Sequence, residues 1–263
     1  MNPHTLTGLS SLQCKLASVT APEFDIQVLL PIHNEAESIE ATIREIHGEL
    51  SDLVKIQFIL CEDGSRDNTK DVLRRVASEI PAKLLLSDGR KGYSRAVRDG
   101  MLEADAPYLL CLDSDGQCDP KDFPAFWEAR HRSDVLIGWR IHRADNVLRK
   151  WMSRSFYWLW RVLYRCRIHD PSCPYMLARR EVIQALAPRM GAMEQGFWWE
   201  FMARVHLAGY SVSEFPVHHR ARAAGVTQVY RLGKLPGIGY RHFMALFRIL
   251  RETPVKRSPN SDP

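Results

Sequence analysis

The sequence predicts an α/β fold: a mostly parallel sheet with helices on both faces. Three observations carry this. Apolar runs of strand length alternate with segments of helical period over residues 26–137. The runs are continuous rather than alternating, as in parallel strands buried on both sides. The acidic motifs fall at the ends of those runs, where ligands bind in sheets of this kind.

The first strand is IQVLLPI, residues 26–32, and Ile39, Ile43 and Ile46 predict a helix over 34–50. KIQFILC (55–61) is a second strand, followed by a helix over 67–79 capped by Asp67 or Asn68. Strands at 82–87, 106–113 and 134–138 alternate with helices over 91–104 and after Pro120. Beyond that the pattern changes. Residues 147–166 are dense in aromatic and basic side chains, and 175–178 form a short strand. Helices follow over Arg180–Leu186 and Phe197–Leu207, then a strand over 210–217 and a last amphipathic helix over 238–251. The expected organisation is a poorly ordered extension (1–23), one catalytic domain (24–236), the terminal helix (237–251) and a disordered tail (252–263).

The 263 residues suffice for one sizeable core. The six cysteines form no CxxC pair, so free thiols in a reducing compartment are expected. No signal pattern or bilayer-length apolar run is present, so a membrane role would be peripheral. The net charge of +5 is uneven: residues 130–180 hold twelve Lys and Arg against three acids, a local +9 that leaves −4 elsewhere. Such a block suits a polyanion, whether phosphate, lipid headgroup or nucleic acid.

The fourth strand ends in DSDGQCD. Asp113 and Asp115 are two apart, so both carboxylates can converge on one cation, and Gln117 can add a neutral oxygen. Hard divalent ions take oxygen ligands and keep phosphate oxygens in their remaining positions, so Mg²⁺ or Mn²⁺ fits. An EF-hand fails, because the places for its Gly and Glu hold Cys118 and Pro124. A phosphatase of the Asp-x-Asp type is disfavoured by Gln117. The bland reading is a solvated acidic turn. Against it stand two more acidic strand ends: Pro31-Ile32-His33-Asn34-Glu35, and Glu62-Asp63 followed by GSRDNT. There Glu35 and Asp63 can accept hydrogen bonds from a nucleobase or ribose.

The order PIHNE, EDGSRDNT, GRKGYSRAVRDG and DSDGQCDP resembles family 2 glycosyltransferases of the GT-A fold, closest to the polyprenol-phosphate (dolichol-phosphate) mannosyltransferase type. The resemblance covers roughly residues 26–230. It implies nucleotide contacts at Pro31, Glu35 and Asp63, and metal contacts at Asp113, Asp115 and Gln117; His33 of the first motif joins the nucleotide candidates, and Lys91, at a loop-to-helix junction, can meet phosphate or simply open a helical turn. Downstream, Arg149-Lys150-Trp151-Met152-Ser153-Arg154 is similar to an acceptor-phosphate motif, which implies roles for Arg149 and Ser153, and Arg222 falls in a matching loop. Glu62 stands where Asp is common, and Thr227-Gln228 replaces the usual Ser-Lys.

The implied reaction is inverting transfer of a hexose from a nucleotide-diphosphate sugar (GDP-mannose or a UDP-sugar) to a polyprenyl phosphate. The alternative acceptor is a saccharide or other hydroxyl. Arg140 would orient anionic groups, as its fork suits phosphate. A lipid phosphate needs no strong base. A hydroxyl does, and Asp170 and Glu200 are the candidates, each with a bland reading as a turn cap or a helix residue. The segments 147–166 and 238–251 read as interfacial helices, against the plain alternative of core helices with solvated basic faces. The expected location is therefore the cytoplasmic face of a membrane. Nucleic acid is the weaker polyanion, because the sheet edge already has another ligand.

Overall fold

A computed structural model describes residues 22–141, 147–220 and 235–252. The elements are β1 (Ile26–Ile32), α1 (Ile39–Ser51), β2 (Ile56–Glu62), α2 (Thr69–Ala77), β3 (Ala82–Leu85), α3 (Tyr93–Leu102), β4 (Tyr108–Cys111), α4 (Phe123–Ala129), β5 (Val135–Arg140), α5 (Val147–Tyr164), β6 (Met176–Arg179), α6 (Arg180–Leu186), α7 (Phe197–Leu207), β7 (Val212–Val217) and α8 (Leu235–Arg251). The strands form one sheet in the order β3-β2-β1-β4-β6-β5-β7. Only β6 is reversed, antiparallel to both β4 and β5. The other pairings are parallel.

The apolar runs become the centre of the sheet. All seven residues of β1 are buried, and six of the seven in β2. Helix α1 buries Ile39, Thr42, Ile43, Ile46 and Leu50, a single stripe at helical spacing. It begins at Ile39 rather than at 34, because Asn34 takes a left-handed φ of 55° that no helix can continue. Helix α3 lies close on β1 and β2: a β-carbon at Gly100 would sit 2.4 Å from Cys61 Sγ and 2.7 Å from Leu29 Cδ1.

The two sheet edges differ in kind. At the amino edge the buried amide of Gln27 donates to Gln57 and Asp105 (both 2.7 Å) and accepts from the N–H groups of Asp105 and Ala106. That satisfies it internally. At the carboxyl edge the strand ends open into loops carrying the acidic motifs. The described cysteines, Cys61, Cys111, Cys118, Cys166 and Cys173, are free and buried.

Helix α5 turns Trp160 and Tyr164 inward, and the Tyr164 hydroxyl donates to Leu246 O of α8 at 2.8 Å. Helix α8 buries Ala245, Leu246 and Ile249. Both are core elements on one side only. On the other they expose Trp158, Leu159 and Val162, and Tyr240, Phe243, Met244 and Phe247. The terminal segments 1–21 and 253–263 and the loop containing Arg222 lie outside the described residues, as do the side chains of Arg149 and Ser153 on α5.

Candidate active site

Three loops meet beyond the ends of β1, β2 and β3. His33 Nδ1 pairs with Asp63 O at 2.8 Å, and Asn34 N–H donates to Ser65 Oγ at 2.9 Å. Arg66 N–H donates to Asn34 Oδ1, and Glu35 N–H to Thr69 Oγ1, each at 2.9 Å. These contacts staple the first loop to the second. Glu62 is buried and accepts from the N–H groups of Ser65 and Ser87, with the Lys70 ammonium 3.8 Å away. Its extra methylene relative to Asp thus spans two loops.

The carboxylate of Asp63 accepts from Lys91 N–H (2.5 Å) and from Gly92 N–H (2.9 and 3.0 Å), and the residue is only 3% exposed. In this arrangement Asp63 braces the third loop. The Lys91 ammonium is paired with Asp99 on α3. The loops enclose a cavity of about 400 Å³ lined by His33, Asn34, Ser65, Arg66, Asp88 and Arg90. Its floor depends on Gly64, whose φ is 62° and whose β-carbon would fall 2.3 Å from Gly89 C and 2.4 Å from Arg90 N. Gly64→Ala is expected to lose about 1–3 kcal/mol from the left-handed backbone alone, plus the cost of parting the loops. A urea titration reads the loss.

The acidic loop is welded to the end of β1. Leu112 N–H donates to Leu29 O at 3.2 Å, and the buried Ser114 hydroxyl donates to Pro31 O at 2.7 Å. Asp113 and Asp115 flank that anchor, both half-buried. The Asp115 carboxylate accepts from Gln117 N–H at 3.1 Å. The Gln117 side-chain nitrogen donates to Arg220 O at 3.1 Å, and Arg220 N–H returns to Gln117 O at 2.9 Å. Gln117 therefore ties the acidic loop to the segment after β7, where Cys118 and His219 form an isolated bridge.

Asp113 has a partner that sequence reasoning missed. The Tyr93 hydroxyl donates to Asp113 Oδ1 at 2.8 Å, and Trp198 Nε1–H donates to that hydroxyl at 2.8 Å. The Tyr93 ring is 40% exposed, yet its oxygen is wedged between these partners. Burial of the hydroxyl and the adjacent Asp113 charge push the phenol well above its ordinary pKa, so it remains a donor. No spacing rule links a tyrosine opening α3 to an aspartate twenty residues later.

Two carboxylates at one strand end are half of a hard-cation shell. Among the described residues no group of three or more His, Cys, Asp or Glu is placed to hold a metal. A divalent ion here would draw its other oxygens from a bound diphosphate and water, as Mg²⁺ commonly does. The donor set fits that use.

At the far side of the edge, Arg140 ends β5 and grips Asp170 through two hydrogen bonds, Nε–Oδ2 at 2.7 Å and Nη2–Oδ1 at 2.9 Å. Ser172 Oγ bonds both partners. Burial alone would lower the arginine pKa, but the Asp170 hydrogen bonds and charge outweigh it and raise it above the ordinary value. The residues expected to orient phosphate and to act as base are thus committed to each other.

Glu200 needs a plainer correction. It is fully buried on α7 and accepts from Gly191 N–H and Ala192 N–H (both 3.1 Å), Met193 N–H (2.7 Å) and the guanidinium of Arg204 (2.7 and 2.9 Å). Arg204 also pairs with Glu252 beyond α8. Glu200 holds a loop; it does not reach the cleft.

With this geometry in place, the comparisons with known proteins are specific. A model of the family described as Glycosyl transferase family 2 matches residues 27–187. The glycosyltransferase AglD of Haloferax volcanii is 30% identical over 236 residues, 85% of this chain and 37% of that protein. A dolichol-phosphate mannosyltransferase of Pyrococcus furiosus is 29% identical over 169 residues, 61% of this chain and 48% of that protein. The chain thus spans less than half the length of either relative. Among solved structures, glucosyl-3-phosphoglycerate synthase of Mycobacterium tuberculosis, bound to Mn²⁺, UDP and phosphoglyceric acid, superposes with a TM-score of 0.65 at 18% identity, covering 91% of this chain and 85% of that one. The fold is therefore of the GT-A kind, and by the match over residues 27–187 the chain belongs to glycosyl transferase family 2.

Proposed function

We propose that the chain moves a hexose from a nucleotide-diphosphate sugar to a polyprenyl phosphate at a membrane surface, with inversion at the sugar carbon. The cavity between the first three loops takes the nucleoside, and Asp113 and Asp115 would hold a Mg²⁺ or Mn²⁺ against the diphosphate. Such an ion neutralises the charge that develops on the leaving group. The loop contacts of Ser114 and Gln117 fix where those carboxylates stand before the donor arrives, so little reorganisation is left for the reaction.

The observation that favours an anionic acceptor is the state of the two carboxylates expected to serve as base. Glu200 is buried, and Asp170 is locked on Arg140. A hydroxyl acceptor needs a carboxylate base, and neither expected candidate stands open to serve as one; a phosphate oxygen is already a nucleophile. The relative from Pyrococcus furiosus, named for dolichol phosphate, supports the same choice.

The membrane part of the reading rests on the outer faces of α5 and α8. Trp158 and Val162 are each 62% exposed and Tyr240 is 66% exposed. Around them lie the exposed cations Arg161, Arg165, Arg241, Arg248 and Arg251. Apolar rings beside arginines suit an anionic headgroup boundary. Among the described residues no helix is long and apolar enough to cross a bilayer. The buried free thiols agree with a cytoplasmic, reducing side.

The test has two parts. Thermal shifts with GDP- and UDP-sugars, with and without Mn²⁺, should find one donor that stabilises the protein in a metal-dependent way. Stabilisation by none would defeat the enzyme reading. In vesicle flotation the protein should rise with anionic liposomes. The triple substitution W158S/V162S/F243S should cut the bound fraction at least tenfold, since each apolar group contributes about 1 kcal/mol or more when it leaves water. Because all three side chains are exposed, the melting temperature should stay put. Wild-type protein that remains in solution would favour the soluble, hydroxyl-bearing acceptor.

A further inference from the structure

A neutral donor from a different element, the tyrosine that opens α3, reaches the Asp113 carboxylate. The Tyr93 hydroxyl sits 2.8 Å from Asp113 Oδ1, and the Trp198 indole N–H sits 2.8 Å from that same hydroxyl. The phenol oxygen is thereby both donor and acceptor, and its one proton is directed at the carboxylate. The two ends of this relay are separately anchored. Tyr93 opens α3, next to Ser94, whose hydroxyl donates to Glu194 O at 2.7 Å. Trp198 lies in the first turn of α7, two residues before Glu200, which clamps the 191–193 backbone. Tyr93 and Trp198 therefore cannot drift independently of the loop between α6 and α7.

We propose that Tyr93, seated by Trp198, is a positioning residue for the metal carboxylate: it fixes one oxygen of Asp113, so that the carboxylate presents a set orientation to a divalent cation. This rests on the reading of Asp113 and Asp115 as metal ligands. Groups that hold a metal ligand from behind typically change metal affinity or activity 10- to 100-fold when removed. The phenol ring itself is part-exposed and is kept in the conservative variant, so the fold has no reason to fail with it.

The experiment is Mn²⁺ binding, read from the free-ion paramagnetic resonance signal, on wild type, Tyr93→Phe, Trp198→Phe, the double variant and Asp113→Asn, each with a saturating nucleoside diphosphate. Tyr93→Phe should weaken Mn²⁺ about tenfold, with far-ultraviolet circular dichroism and melting temperature unchanged. Trp198→Phe should weaken it less, and adding it to Tyr93→Phe should change little more, because the indole acts through the hydroxyl. Raising Mn²⁺ should restore the turnover of Tyr93→Phe to near the wild-type kcat but leave Asp113→Asn slow. Wild-type affinity in Tyr93→Phe, with Asp113→Asn impaired, overturns this proposal alone. Additive losses from the two aromatic substitutions also overturn it. Wild type that binds no Mn²⁺ overturns it together with the metal reading beneath it.

Discussion

Asp113→Asn is expected to lower kcat/KM by about 10²–10³-fold or more while leaving the protein folded. The asparagine oxygen can still accept from the Tyr93 hydroxyl that now meets Asp113 Oδ1, so the local packing keeps its shape. What disappears is one of two negative charges at the end of β4. With no third His, Cys, Asp or Glu grouped there among the described residues, a cation would retain a single carboxylate. The effect should therefore appear in the rate of the chemical step and in the metal concentration needed for half activity, and scarcely in the melting curve. A steady-state titration of Mn²⁺ at saturating donor sugar measures both. A variant with near wild-type rates would remove the acidic loop from the mechanism.

The largest loss of stability should follow Glu200→Ala. Removing that carboxylate strands the Arg204 guanidinium, whose side chain is only 5% exposed, and strips acceptors from the N–H groups of residues 191–193. Breaking a buried pair from one side costs about 3–5 kcal/mol, which in a chain of this size lowers the melting temperature by roughly 10 °C or more. Glu252 shares Arg204 and offsets part of this. Replacing both partners, as in Glu200→Leu with Arg204→Met, should recover some of the loss, because no unpaired charge remains. Scanning calorimetry on wild type and the two variants decides it. If the single variant melts like wild type, Glu200 is not the clamp described above.

The contrast between Glu200 and Asp113 shows what was legible in the sequence. Apolar runs gave the strands to within a few residues, because burial on both faces leaves an uninterrupted signal. They also placed the acidic motifs at one sheet edge. The start of α1 was misplaced, because apolar spacing says nothing about the left-handed turn at Asn34. A short strand near residue 176 was legible but its reversal was not, since direction depends on which neighbours accept it. The carboxylates were the hardest to read. Glu200 owes its role to backbone N–H groups seven to nine residues away, and Asp170 to an arginine thirty residues before it. Neither partner leaves a periodic trace. Tyr93 and Trp198, 105 positions apart, meet only because α3 and α7 are folded against the same loop.

The placement of the cysteines has a practical side. Cys61 and Cys111 lie in neighbouring parts of the sheet, Cys118 in the acidic loop, Cys173 just beyond the Arg140–Asp170 pair and Cys166 past the end of α5, all shielded. Burial pushes the thiols of Cys61 and Cys173 up to about 12, so at neutral pH they carry almost no reactive thiolate. With Cys14 replaced by serine, an alkylating reagent will label the chain only as fast as each neighbourhood opens. The protein thus carries five internal clocks of its own breathing, two of them beside the acidic loop and the Arg140 pair, and mass spectrometry can read the order in which they strike.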